Sequence, residues 1–215
     1  MNNMVNLIKL HYSSIFSLKK PALVVLALAI VVSISNVDGS MLTFGAGLII
    51  MILNYNTLAY EDYSKSNFLI YSLPVKAEEY ILSKYIFGGI NLIIAIIFSD
   101  LMYIILNMLD IISSKNIPML TLNISIIVMG MFVIDILVPI AIIVGFNKAR
   151  IILLLLAILP VCFSSTIVSI LSKLPPLNFN ISDGMVEAGA IIFGIVLTTI
   201  SYFITANLYK KKEIV

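Results

Sequence analysis

Six stretches of this chain, residues 21–37, 39–60, 85–99, 116–134, 151–172 and 188–209, contain no Asp, Glu, Lys or Arg. A helix needs roughly 20 mostly apolar residues to cross the hydrocarbon core of a bilayer. The third and fourth stretches reach workable length by continuing past one acid each, Asp100 and Asp135. Runs such as ILLLLAIL at 152–159 are apolar on every side, whereas a strand of a membrane barrel alternates in polarity over about ten residues. Only 11% of the residues are charged, against about a quarter in a soluble domain. The expected fold class is therefore an all-α integral membrane protein. It has six transmembrane helices, at about 21–37, 41–59, 80–109, 117–146, 151–172 and 186–209, within one domain over 1–215. About twenty residues precede the first run and no small-x-small cleavage site follows it, so it is expected to be retained rather than removed as a signal.

Six crossings place both termini on one side, and basic residues mark the cytoplasmic side. Lys9, Lys19, Lys20, Lys65, Lys76, Lys84, Lys148, Arg150 and Lys210, Lys211 and Lys212 make eleven on one side, and Lys115 and Lys173 make two on the other. The termini, the segment 61–84 and the loop at Lys148 are thus expected in the cytoplasm. Asp38, Asp110 and Asp183 would face outward.

Ahead of the first run, Asn2, Asn6, Lys9, Ser13, Ser17 and Lys20 recur every three or four residues, with Met4, Ile8, Ile15 and Leu18 between them. That period predicts an amphipathic helix over 1–20, and a cationic one lies along the inner membrane interface. It serves either as an anchor or as an elbow that moves with the bundle. Short connections at 36–40, 113–116 and 146–150 predict tight turns. The segment 173–184 holds Pro175-Pro176, which cannot continue a helix. Asp183 and Glu187 are placed to cap and charge-match the start of the last helix.

Several chemistries are absent. The sequence has no Gly-x-x-x-x-Gly-Lys-Ser/Thr loop for a nucleotide phosphate, and His11 is its one histidine and Cys162 its one cysteine. A catalytic triad, a His-rich metal site and a disulfide within the chain are closed off. No enzyme activity, no metal and no nucleic-acid partner are expected.

The two intramembrane acids stand out. A central Asp costs roughly 3 kcal/mol to insert, while the fourteen Ile, Leu, Val and Phe residues between 124 and 144 return roughly 4 to 8 kcal/mol. Insertion survives, and the acid must face protein or water. Pro139 has no N–H for the carbonyl of Asp135, which leaves that oxygen free and makes a polar notch at mid-membrane. Asp100 and Asp135 either line a substrate path or take up a proton, or they join Asn54, Asn56, Asn91 and neighbouring serines in contacts that hold the helices together.

The densest charge lies in YEDYSKSNFLIYSLPVKAEEYILSKY, residues 60–85, with four of the eleven acids and three of the thirteen bases. Aromatic residues Tyr60, Tyr63, Phe68, Tyr71 and Tyr80 are interleaved with them, and Pro74 ends any helix begun at 60. The segment 60–79 reads as a short helix across the cytoplasmic end of the bundle, tied to a membrane helix on either side. Ser72-Leu73-Pro74-Val75, with Lys84-Tyr85 nine residues on and the pair Glu61-Asp62 before it, resembles the SLPV…sKY signature of the ABC type-2 permease family of bacterial exporters. The six-span plan is similar along the whole chain, and the motif itself covers about 25 residues.

The resemblance implies a membrane subunit in the bacterial cytoplasmic membrane, paired with a second permease, identical or paralogous. Two copies of a separate ATPase would carry ATP and Mg²⁺, and this chain would need no cofactor of its own. It implies that 60–79 is a coupling helix, with Glu61, Asp62, Lys65, Asn67 and Phe68 as ATPase contacts and Lys148 and Arg150 as secondary ones. Compact members of the family resemble exporters of amphipathic peptides in Gram-positive bacteria, such as those for phenol-soluble modulins. A proton- or sodium-coupled transporter using Asp100 and Asp135 is the alternative, and a non-transporting peptide-immunity protein is a further one.

Overall fold

The computed structural model describes residues 2–17, 19–34, 40–63, 76–109, 118–145 and 183–213. They form six helices: α1 (Asn2–Ser17), α2 (Lys19–Ile34), α3 (Ser40–Tyr63), α4 (Ala77–Met108), α5 (Met119–Val144) and α6 (Asp183–Glu213). No strand occurs among the described residues. Among the described residues, four stretches are long and apolar enough to cross a membrane: Leu42–Glu61, Glu78–Met108, Met119–Val144 and Gly184–Lys211. The span expected at 21–37 is represented by α2, whose 16 residues fall short of a crossing by themselves. The spans expected at 151–172, the loop at Lys148 and the SLPV motif lie outside the described residues.

Local chemistry sets several boundaries. Lys76 is extended (φ −69°, ψ 143°) just before α4, and Glu78 and Glu79 stand in the first turn, where negative charge meets the free N–H groups. Pro118 plays the same part ahead of α5 (φ −66°, ψ 141°). That helix ends at Gly145 with φ +92°, a backbone setting that glycine adopts without the steric cost of a side chain. α3 runs to Tyr63, so the first four residues of the segment 60–79 continue a membrane helix rather than begin a separate one.

Contacts fix the directions of the helices. Asn54 meets Asn91 and Glu61 meets Lys84, so α3 and α4 are antiparallel. Tyr85 meets Ser201 while Glu78 meets Lys210, so α4 and α6 are antiparallel too. In contrast, Thr121 meets Glu187 and Asp135 meets Thr198, so α5 and α6 run parallel. Buried Ile50, Ile81, Leu92, Ile126, Ile134 and Val138 form the core where α3, α4 and α5 converge. A Cβ on Gly130 would lie 2.8 Å from Leu92 Cδ1 and 2.9 Å from Ile50 Cδ1. The missing side chain therefore lets three helices approach closely, as small residues do in membrane bundles.

Candidate functional site

Two polar clusters interrupt the apolar packing. The first joins α1, α3 and α4 beside the charged segment. Glu61, 3% exposed, is in the last turn of α3, and Lys84, 2% exposed, is two turns into α4. They form a buried ion pair. The Tyr80 hydroxyl donates to Glu61 Oε2 at 3.0 Å, and the Lys84 ammonium lies 5.5 Å from the centre of the Tyr80 ring. Two charges out of water need such extra partners, because their attraction alone does not offset the lost hydration.

α1 supplies the third member, His11, fully buried. The hydroxyl hydrogen of Ser83 goes to the Tyr80 carbonyl at 2.7 Å, so at 3.2 Å from His11 Nε2 the same oxygen accepts. Nε2 thus carries a hydrogen. Nδ1 lies 3.1 Å from Glu61 Oε1 and 3.4 Å from Lys84 Nζ. Burial first, and the Lys84 charge second, hold the imidazole pKa below its ordinary 6.5 against the opposing pull of Glu61. Nδ1 thus sits between a carboxylate that can only accept and an ammonium that can only donate. Phe87 packs edge-on against both His11 and Tyr12, with ring centres 5.4 and 5.0 Å away. Burial also pushes the Tyr12 phenol pKa up.

The second cluster is the notch around Asp135. Ser201 on α6 donates to the Asp135 carbonyl oxygen at 3.0 Å, the oxygen that Pro139 leaves without a helical donor. The Ser201 hydrogen is thereby used, so the Tyr85 hydroxyl, 2.8 Å away, donates to Ser201. Thr198 Oγ1 lies 3.0 Å from both Asp135 Oδ2 and the Gly194 carbonyl, with one hydrogen to share between them. Asp135 Oδ1 is buried without a partner. Nearby, Asn91 donates to Asn54 Oδ1 at 3.3 Å, and Asn54 donates to the Ile50 carbonyl at 2.8 Å.

The sequence-predicted residues therefore divide. Asp135 and the Asn54–Asn91 pair do make interhelical polar contacts, but with different partners from each other. Asp100 is half-buried further along α4, apart from both clusters. Glu61, expected at an ATPase surface, is instead enclosed by His11, Tyr80 and Lys84, because a carboxylate at the end of a membrane helix takes the nearest buried cation. Asp62 lies in the last turn of α3, while Lys65, Asn67, Phe68, Lys148 and Arg150 lie outside the described residues. Glu187 accepts from Thr121 at 3.1 Å and so links α6 to α5. Sequence reasoning missed His11, Tyr80, Ser83 and Lys84 as a unit. The one available signal was an imidazole four residues after Leu7 on a single face of α1, both fully or almost fully buried.

Helices long and apolar enough to cross a membrane, packed around buried polar clusters, define a helical integral membrane protein. Residues 6–210 match the family described as ABC-2 family transporter protein. The chain belongs to that family, whose members are permease components of ABC transporters and work with an ABC ATPase. No curated protein and no solved structure matches it.

Proposed function

We propose that this chain is the membrane subunit of an ATP-driven exporter in a bacterial cytoplasmic membrane, moving amphipathic or lipophilic substrates, peptides foremost, outward. It pairs with a second permease, identical or paralogous, and with two copies of a separate ATPase that carry ATP and Mg²⁺. The observation that carries this reading is the clasp. Glu61 and Lys84 bracket the segment 62–83 and tie both of its ends, together with α1, into the bundle. A push delivered to such a segment reaches three helices at once.

On this reading Glu61 anchors the coupling segment from behind, and Asp62, Lys65, Asn67 and Phe68 meet the ATPase, with Lys148 and Arg150 in support. The helix directions favour six crossings. The parallel run of α5 and α6 agrees with the additional crossing expected from the charge-free run at 151–172. The eleven-to-two split of basic residues supports cytoplasmic termini.

Purification of the tagged chain in mild detergent, beside an Asp62→Lys plus Lys65→Glu variant, tests the proposal. A P-loop ATPase that accompanies the wild type and is lost from the folded variant supports it. Recovery of the permease alone would shift the reading to a gradient-driven transporter. The buried, unpartnered Asp135 Oδ1 is the observation favouring that second reading.

A further inference from the structure

A groove of about 410 Å³ lies between α4, α5 and α6, walled by Leu82, Tyr85, Gly89, Met131, Thr198 and Phe203 among others. It is open along one side, where Ile195 and Phe203 are 51% and 58% exposed. Three of the hydroxyl-bearing side chains that line it, Tyr85, Thr198 and Thr199, have their hydroxyls engaged by protein. Thr199 donates to the Ile195 carbonyl, Thr198 is engaged by Asp135 and Gly194, and Tyr85 by Ser201. What remains to line the space is methyl groups, methylenes and the rings of Tyr85, Tyr202 and Phe203, the last two packed edge to face at 5.3 Å. A polar ligand would find the Tyr85, Thr198 and Thr199 hydroxyls already occupied. An alkyl chain needs none of them.

Depth narrows the occupant. At 1.5 Å per residue, Leu82 to Leu92 places the groove about 6 to 21 Å above Glu78. That is the half of a bilayer about 40–45 Å thick that adjoins the lysine-bearing ends of α4 and α6. Below the groove stand Lys76, Lys210 and Lys211 against Glu78 and Glu79, three positive charges against two. The exposed Lys210–Glu78 ion pair lies among them.

We infer that this groove holds an acyl chain of an inner-leaflet phospholipid whose phosphate rests at Lys210 and Lys211. The inference rests on the orientation proposed above. An excess of one positive charge favours an anionic over a zwitterionic headgroup by about fivefold. Gly89 supplies the means of blocking the site, since a Cβ there would meet no atom within 4 Å. A side chain at Gly89 therefore starts into open space, and Gly89→Phe carries a ring into the groove.

The test is native mass spectrometry of the purified full chain with added phosphatidylglycerol or phosphatidylcholine of the same acyl composition. The wild type should retain one lipid and prefer phosphatidylglycerol about fivefold. Gly89→Phe, or Ile195→Trp should the first variant not fold, should lose that lipid with the melting temperature unchanged. Lys210→Gln with Lys211→Gln should keep a bound lipid and lose the preference. Equal retention by wild type and a folded groove-filling variant would overturn the proposal. So would a quantitative disulfide between Thr199→Cys and the native Cys162, because the groove would then be occupied by the chain's own segment 151–172. A C-terminal tag reached only from outside the cell would refute the orientation separately, whatever the lipid retention.

Discussion

Glu61 and Lys84 stand 23 positions apart and touch inside the bundle, closing the segment between them into a loop with a fixed base. Removing one partner leaves an uncompensated buried charge, which costs about 3–5 kcal/mol. Glu61→Ala and Lys84→Met should each lower the melting temperature strongly and, on the proposed function, release the ATPase. Glu61→Gln combined with Lys84→Met keeps an acceptor for Tyr80 and leaves no charge behind, so it should recover most of the stability. If thermal unfolding in detergent gave additive losses in this double variant, the pair would not be the unit described here.

His11 makes the same cluster sensitive to pH. It faces Glu61 from α3 and Lys84 and Ser83 from α4, and its folded pKa lies below the ordinary 6.5. The unfolded chain therefore binds more protons than the folded one between that lowered value and about 6.5, where stability rises with pH. The contribution is complete above the window and is lost as pH falls through it. Melting temperatures from about pH 8 to about pH 5 should decline for the wild type and decline less for His11→Gln. An unaltered slope in the variant would assign the effect to other groups.

The link from Ser201 to the Asp135 carbonyl exists because Pro139 donates no hydrogen there. Interhelical hydrogen bonds in membranes contribute about 0.6 kcal/mol on average, so Ser201→Ala should cost about that much. In a Pro139→Ala background the restored N–H takes the same oxygen, and the serine should matter less. A double-mutant cycle on unfolding free energy measures the difference. A coupling energy of zero would mean that the proline and the serine act independently.

What could be read from the sequence follows from the physics of each feature. Charge-free runs fixed the location of α3, α4, α5 and α6 within a few residues, because hydropathy over a crossing is a sum and tolerates local error. The freed carbonyl of Asp135 was legible too, since the i to i+4 spacing to Pro139 is local covalent geometry. Its partner was not, for nothing in the spacing of Ser201 shows that α6 runs parallel to α5. The His11, Glu61 and Lys84 cluster was hidden for the same reason. Glu61 read as a surface group because its neighbours in sequence are charged, whereas its neighbours in space are a buried lysine and a histidine more than 70 positions from Lys84.

Asp135 offers the clearest separation between a group that holds helices together and one that takes part in transport. Asn in its place keeps a side-chain oxygen for the Thr198 hydroxyl and leaves the backbone carbonyl for Ser201, so both observed links survive. Asp135→Asn should therefore express and melt like the wild type and, on the proposed function, export like it. Asp135→Leu loses the Thr198 link and should be less stable by about 0.6 kcal/mol, the average for such a bond. Export assayed in inverted vesicles, with ATP supplied and the proton gradient collapsed, decides between the roles. An Asn variant that folds normally and transports nothing would make the carboxylate's ability to carry charge essential, and the unpartnered Oδ1 would then mark the place where a proton or cation binds.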